Sequence, residues 1–142
     1  MFVPDVARLA SIFSQATAPA FFLGAVAAFV SLMSGRLNVV VARIQKLNRL
    51  GEDHPKHEDL KADLARLRRR ARLLSNAISA ALVAGVCSTL LLAELFVTEF
   101  LGFHHAYGGA LLFTFATLAL GWGLVLFFQE TRVGLAEADE YE

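Results

Sequence analysis

The chain has 142 residues, a formal net charge of zero and a mean hydropathy of +0.55, with 56% hydrophobic and 18% charged residues. A soluble domain runs at roughly 45–50% apolar and about 25% charged, so both departures point toward a membrane protein. The length excludes a two-domain active transporter, and one cysteine excludes an internal disulfide framework or a multi-cysteine metal site.

The first apolar stretch runs from about Ile12 to Met33. It is long enough to cross a hydrocarbon core of about 30 Å as a helix. Only Arg8 precedes it, offset by Asp5, and the positive charges follow it. That is the reverse of a cleavable signal, so it reads as a retained span. Ala16, Ala20, Gly24 and Ala28 recur at four-residue steps. Such small residues let helix backbones approach closely in lipid.

A polar segment, Arg36 to Arg72, follows. Leu37, Val40, Val41, Ile44 and Leu47, then Leu60, Leu64, Leu67, Ala71 and Leu74, recur at three-to-four spacing. Between them Gly51 to Pro55 carries turn chemistry. The pattern predicts an antiparallel helical hairpin that continues the first and second spans, with its apex near Pro55. The segment holds eleven basic and five acidic residues. Its densest run, at the membrane border, offers Arg66, Arg68, Arg69, Arg70 and Arg72 as contacts for anionic lipid or a partner. Topology alone also accounts for such a run. The HPKH stretch, His54 to His57, reads as a hairpin apex rather than a metal site.

The second span is predicted from Leu73 to Val97. It carries Ala77, Ala81 and Gly85 on one small face. Glu94 is the ionisable residue inside it, and stepping back gives a polar seam of Glu94, Cys87, Ala80 and Asn76. Two readings of Glu94 stand. In a symmetric oligomer it forms an acidic ring at the outer mouth of a pore, with Glu99 at the entrance. Otherwise it reaches interfacial water, or bonds Gln15 or Thr17 on the first span. Cys87, among apolar neighbours, reads as an inert thiol.

The loop Phe100 to Gly109 supplies Phe100, Phe103 and Tyr107 to an interfacial aromatic belt. His104 and His105 read as exposed loop residues and not as metal ligands. The third span is predicted from Ala110 to Phe128, with Thr114, Thr117 and Gly121 as its small face. Residues 133–142 form an acidic tail, read as solvated, with contact to the basic hairpin as the alternative.

Eleven of the thirteen basic residues lie between the first two spans, and Arg132 lies on the same side. The positive-inside rule therefore places the hairpin and C-terminus in the cytoplasm and the N-terminus outside. The expected fold is all-α: a polytopic membrane protein with three transmembrane helices in one membrane domain.

The stretches Ser14–Leu47, Leu67–Leu92 and Leu124–Glu137 resemble a domain-of-unknown-function family of small three-helix bacterial inner-membrane proteins. The specific parts are Ala18-Pro19-Ala20, Gly35-Arg36-Leu37 with Arg43 following, and the arginine cluster entering the second span. Ala42 stands where the family layout has an acidic residue. The resemblance implies the fold and a bacterial inner-membrane location, and no reaction.

No nucleophile–base pair, P-loop or dinucleotide fingerprint is present, so no enzyme and no cofactor is expected. The small-residue faces Ala20, Gly24, Ala28, Ala81, Gly85 and Gly121 predict a homo-oligomer in contact with membrane lipids; no nucleic acid is expected as a partner. The seam with Glu94, Asn76 and Glu99 leans toward a cation-permeable channel, with preference for divalent ions. The alternative is a non-transporting structural or regulatory protein whose basic hairpin docks anionic lipid or a protein.

Overall fold

The computed structural model describes residues 5–50, 57–102 and 106–140. They form three helices: α1 (Val6–Leu50), α2 (His57–Leu101) and α3 (Ala106–Glu140). All three are long and apolar enough to cross a membrane. At 1.5 Å per residue, 45 residues of α1 or α2 reach about 67 Å, well past a core of about 30 Å. The polar segments on either side of residues 51–56 are thus helical, as their periodicity predicts. The proposed apex around Pro55, with His54 and Lys56, lies outside the described residues, as do His104 and His105.

Local chemistry explains the ends. Asp5 sits at the N-cap of α1, and its carbonyl accepts the amides of Arg8 and Leu9 at 2.9 and 3.0 Å. Gly102 follows α2 with φ 69°, the left-handed conformation that stops a helix and favours glycine.

The buried residues fall on seven-residue lines. On α1 they are Pro19, Val26, Met33 and Val40. On α2 they are Leu67, Leu74, Ala81 and Ser88, with Ala77, Ala84, Cys87 and Leu91 beside them. On α3 the line is Ala116, Gly123 and Glu130. Such heptad seams are the pattern of closely packed neighbouring helices. The opposite faces expose Leu82, Val86, Leu90, Leu111, Phe115 and Leu118. Water would penalise that surface; lipid tails do not.

The chain divides into two compact units, each with a piece of every helix. One comprises Met1–Phe29 and Ala81–Gly121. There the rings of Phe22 and Phe113 tie α1 to α3, with centroids 5.8 Å apart. Buried Ser88 donates to the carbonyl of Pro19 at 3.2 Å, a polar link from α2 to α1 in an otherwise apolar setting. A Cβ on Gly85 would stand 3.4 Å from Val26 Cγ1, so α2 runs close to α1 there. The other unit comprises Val30–Ala80 and Trp122–Glu142 and is organised around charge.

Candidate functional site

In the second unit one carboxylate is fully buried: Glu130, at 0% exposure. Two arginines from the other two helices close on it. Arg70 of α2 donates from Nε and Nη2 to Glu130 Oε1 at 3.1 and 3.0 Å. Arg36 of α1 brings Nη2 to 3.3 Å from Oε2 and donates from Nη1 to Thr131 Oγ1 at 3.2 Å. The Arg36 guanidinium also lies over the Phe127 ring, 5.1 Å from its centroid. Burying a charge is costly unless it is paired, and here each helix supplies one member of the group. Oε2 accepts no well-formed hydrogen bond among the described residues, so Arg36 holds it by charge more than by geometry.

A second rung lies seven residues, about two turns, further along α3. Arg70 Nη1 donates to Glu137 Oε2 at 3.0 Å. The Arg70 guanidinium crosses α3 at Gly134, where a Cβ would stand 3.1 Å from Nη2. A third rung, Arg66 with Glu140, lies in solvent. Hydrogen bonding from Arg66, then its charge, holds the Glu140 carboxyl below the ordinary carboxylate range; Glu140 raises the guanidinium in return. The acidic end of α3 is therefore helical to Glu140 and lies along the arginines of α2. The tail is thus exposed but helical to Glu140, and it makes the contact with the basic segment that was the alternative to a disordered, solvated tail.

These groups share one level of the sequence-derived spans. Arg36 lies three residues past Met33, Arg70 three before Leu73, and Glu130 two past Phe128. Of the five arginines expected to meet lipid or a partner, Arg66 and Arg70 are thus engaged by α3. Arg68, Arg69 and Arg72 are exposed and have no acidic partner among the described residues. Helical spacing of three and four places them on one face of α2, continued by exposed Ser75 and Asn76.

In the first unit, Glu94 is half-buried with its carboxylate against the first turn of α3. A Cβ on Gly108 would stand 2.5 Å from Oε1. That turn has amides without intrahelical partners and carries the positive end of the helix dipole. Glu99 pairs with Arg8 and so is not an isolated charge. Gln15 donates to Ser11 and Thr17 to the Phe13 carbonyl, so these two side chains are used within α1. The seam residues differ in setting: Cys87 is buried, Ala80 and Glu94 are half-buried, and Asn76 is exposed.

Among the small residues, Ala81 is buried and Gly85 packs on Val26. Ala20, Gly24 and Ala28 are exposed, and a Cβ on Gly24 would meet nothing within 4 Å among the described residues. Gly121 is half-buried and equally unobstructed. Among the described residues, the Ala20, Gly24 and Ala28 part of the α1 stripe is therefore unused inside the chain.

Glu130, Arg36, Glu137 and Gly134 were not among the expected site residues. A signal for Glu130 existed: stepping back by sevens from Glu137 gives Glu130, Gly123 and Ala116, a line of small residues ending in two acids. Small residues mark the packed face of a membrane helix, so a carboxylate on that line must be buried.

Neither the curated proteins nor the solved structures hold a match to this chain. Residues 16–139 match the family described as protein of unknown function, DUF2721. That match takes in the second and third apolar stretches, all but the first few residues of the first, and the charged groups from Arg36 through Glu137, and the chain belongs to the DUF2721 family.

Proposed function

We propose that this protein is a non-transporting structural or regulatory component of the bacterial inner membrane, anchored on anionic lipid headgroups by the basic face of α2. The extensions of α1 and α2 form a cytoplasmic antiparallel hairpin, with the N-terminus outside and the C-terminus inside. The asymmetry of basic residues supports that orientation. The observation that carries the reading is the face formed by Arg68, Arg69 and Arg72, exposed and unclaimed by the acids of α3. It ends at Arg72, next to the apolar stretch that starts at Leu73, which supports a position at the level of lipid phosphates. Asn76 and Ser75 extend it with hydrogen-bonding groups. No reaction and no cofactor is involved.

The test is lipid selectivity of the reconstituted protein, read by spin-labelled phosphatidylglycerol against spin-labelled phosphatidylcholine. Wild type is expected to favour the anionic lipid, and Arg68→Gln/Arg69→Gln/Arg72→Gln to lose most of that preference. Equal preference in the two proteins overturns the reading.

The second reading is a homo-oligomeric, cation-permeable channel with Glu94 near its outer mouth. The exposed Ala20, Gly24 and Ala28 stripe supports assembly through α1. Half-exposed Glu94 supplies a carboxylate, without Glu99 as a free second charge. Ion flux into proteoliposomes, with wild type and Glu94→Gln, tests it; no flux of any cation from an oligomeric wild type ends it.

A further inference from the structure

The three rungs that join α3 to α2 are unequal. Glu130 is wholly buried and Arg70 is 11% exposed, so the first rung is shielded from water and salt. The outermost, Arg66 with Glu140, is 45% and 60% exposed and so accessible to both. Between them lies Gly134, whose missing side chain gives Arg70 its path across α3. A glycine inside a helix is also its weakest point. Beyond it Leu135, Ala136, Ala138, Asp139 and Glu140 are exposed, and no residue is buried. The end of α3 is therefore held by Glu137 and Glu140 on Arg70 and Arg66, and not by apolar packing. Under it the helices leave a cleft of about 250 Å³, lined by Arg66, Arg69, Val133, Ala136, Glu137 and Glu140.

We infer that residues 135–140 are an acidic flap that occupies Arg66 and Arg70 in place of lipid phosphate and yields to anionic lipid. The chemistry is an exchange of anions on the same guanidiniums. A carboxylate and a phosphate diester both accept paired N–H donors from arginine. The inner rung keeps α3 attached through Glu130 while the flap lifts, so exchange gives up the part-buried Arg70–Glu137 pair and leaves the contacts of Glu130 in place. With the flap displaced, Arg66 joins Arg69 in an open cleft beside the basic face already described. A sparse anionic surface leaves the flap closed; a dense one opens it. This rests on the proposed lipid-binding face and adds a regulation to it.

The experiment uses the full chain in vesicles, in a Cys87→Ser background. First, spin-labelled phosphatidylglycerol is compared with phosphatidylcholine for wild type and Glu137→Gln/Glu140→Gln. The double variant is expected to raise the relative association of the anionic lipid about threefold, and Arg66→Gln added to it to remove most of the gain. Unchanged selectivity in the double variant overturns the flap, while wild-type preference for the anionic lipid would still uphold the basic face. No preference in wild type overturns the basic face, and a gain in the double variant would still uphold the flap. Second, a nitroxide on Leu135→Cys reports motion directly. Its mobile fraction is expected to grow as phosphatidylglycerol rises from a tenth to half of the bilayer, and to stay constant with inorganic phosphate added to neutral vesicles. Release by inorganic phosphate alone replaces the lipid with a free anion as the ligand; a label immobile under every condition overturns the inference. Helix content by circular dichroism, unchanged in the double variant, separates these outcomes from misfolding.

Discussion

Arg70 lies across α3 at Gly134, with Nη2 3.1 Å from the place a Cβ would take. The glycine is the groove that lets one guanidinium reach both Glu130 and Glu137. Gly134→Ala adds helix propensity of about 1 kcal/mol and asks the flexible end of Arg70 to move by tenths of an ångström. The two effects oppose, so stability is expected to change by less than about 1 kcal/mol. Gly134→Leu fills the groove and displaces the guanidinium. Unfolding in a denaturing-detergent titration should rank Leu well below both Ala and wild type.

The buried clasp gives a sharper expectation. Arg70→Ala strips the Oε1 side of a fully buried carboxylate and is expected to cost about 3–5 kcal/mol, as removal of one partner from a buried pair does. Arg36 is 34% exposed, so water can replace it in part and Arg36→Ala should cost clearly less. Combining each change with Glu130→Ala in a double-mutant cycle should show strong coupling for both arginines and the larger value for Arg70.

At the other end of α2, the Glu94 carboxylate faces the first turn of α3 at Gly108. Glu94→Gln removes the charge that this helix end favours and should loosen it by about 0.3–1 kcal/mol. Amide hydrogen exchange of residues 107–110 is the measurement. Faster exchange there, with the rest of α3 unchanged, is the expected pattern; an unchanged first turn would leave Glu94 without a role in fixing α3.

The Arg66–Glu140 pair has a defined pH window. Arg66 holds the Glu140 carboxyl below its usual value, so the pair contributes fully above the unfolded carboxyl value of about 4.3. The contribution is lost as pH falls through the lower, folded value. A carbon-13 titration of Glu140 should show a midpoint below about 4.3, moving up toward it in Arg66→Gln.

Much of this molecule is legible in residue type and period. The three spans announce themselves by length and by the lack of Lys and Arg within them, and the heptads from Leu37 to Leu74 predict that α1 and α2 continue as helices. The charge cluster was harder to read because its members are dispersed at positions 36, 70, 130 and 137. Each looks like an ordinary border residue until the three helices are placed side by side. Glu130 escapes notice for a physical reason: it stands two residues past the apolar run, where hydropathy predicts water, yet it falls on the packed line of α3. Glu94 draws attention because hydropathy isolates it, while Gly108, which its carboxylate faces, has no side chain to advertise the contact. Pairings such as Arg8 with Glu99, 91 residues apart, lie beyond any local pattern.

The clasp around Glu130 also has an order in time. The ribosome delivers Arg36 first, Arg70 next and Glu130 last. Two guanidiniums thus reach the membrane before the carboxylate that neutralises them exists. A nascent chain with only α1 and α2 in place carries unbalanced positive charge where the finished protein has a closed ionic knot. Arrival of α3 therefore marks completion chemically, and a chain truncated before Glu130 leaves Arg36 and Arg70 without the carboxylate they share in the finished protein.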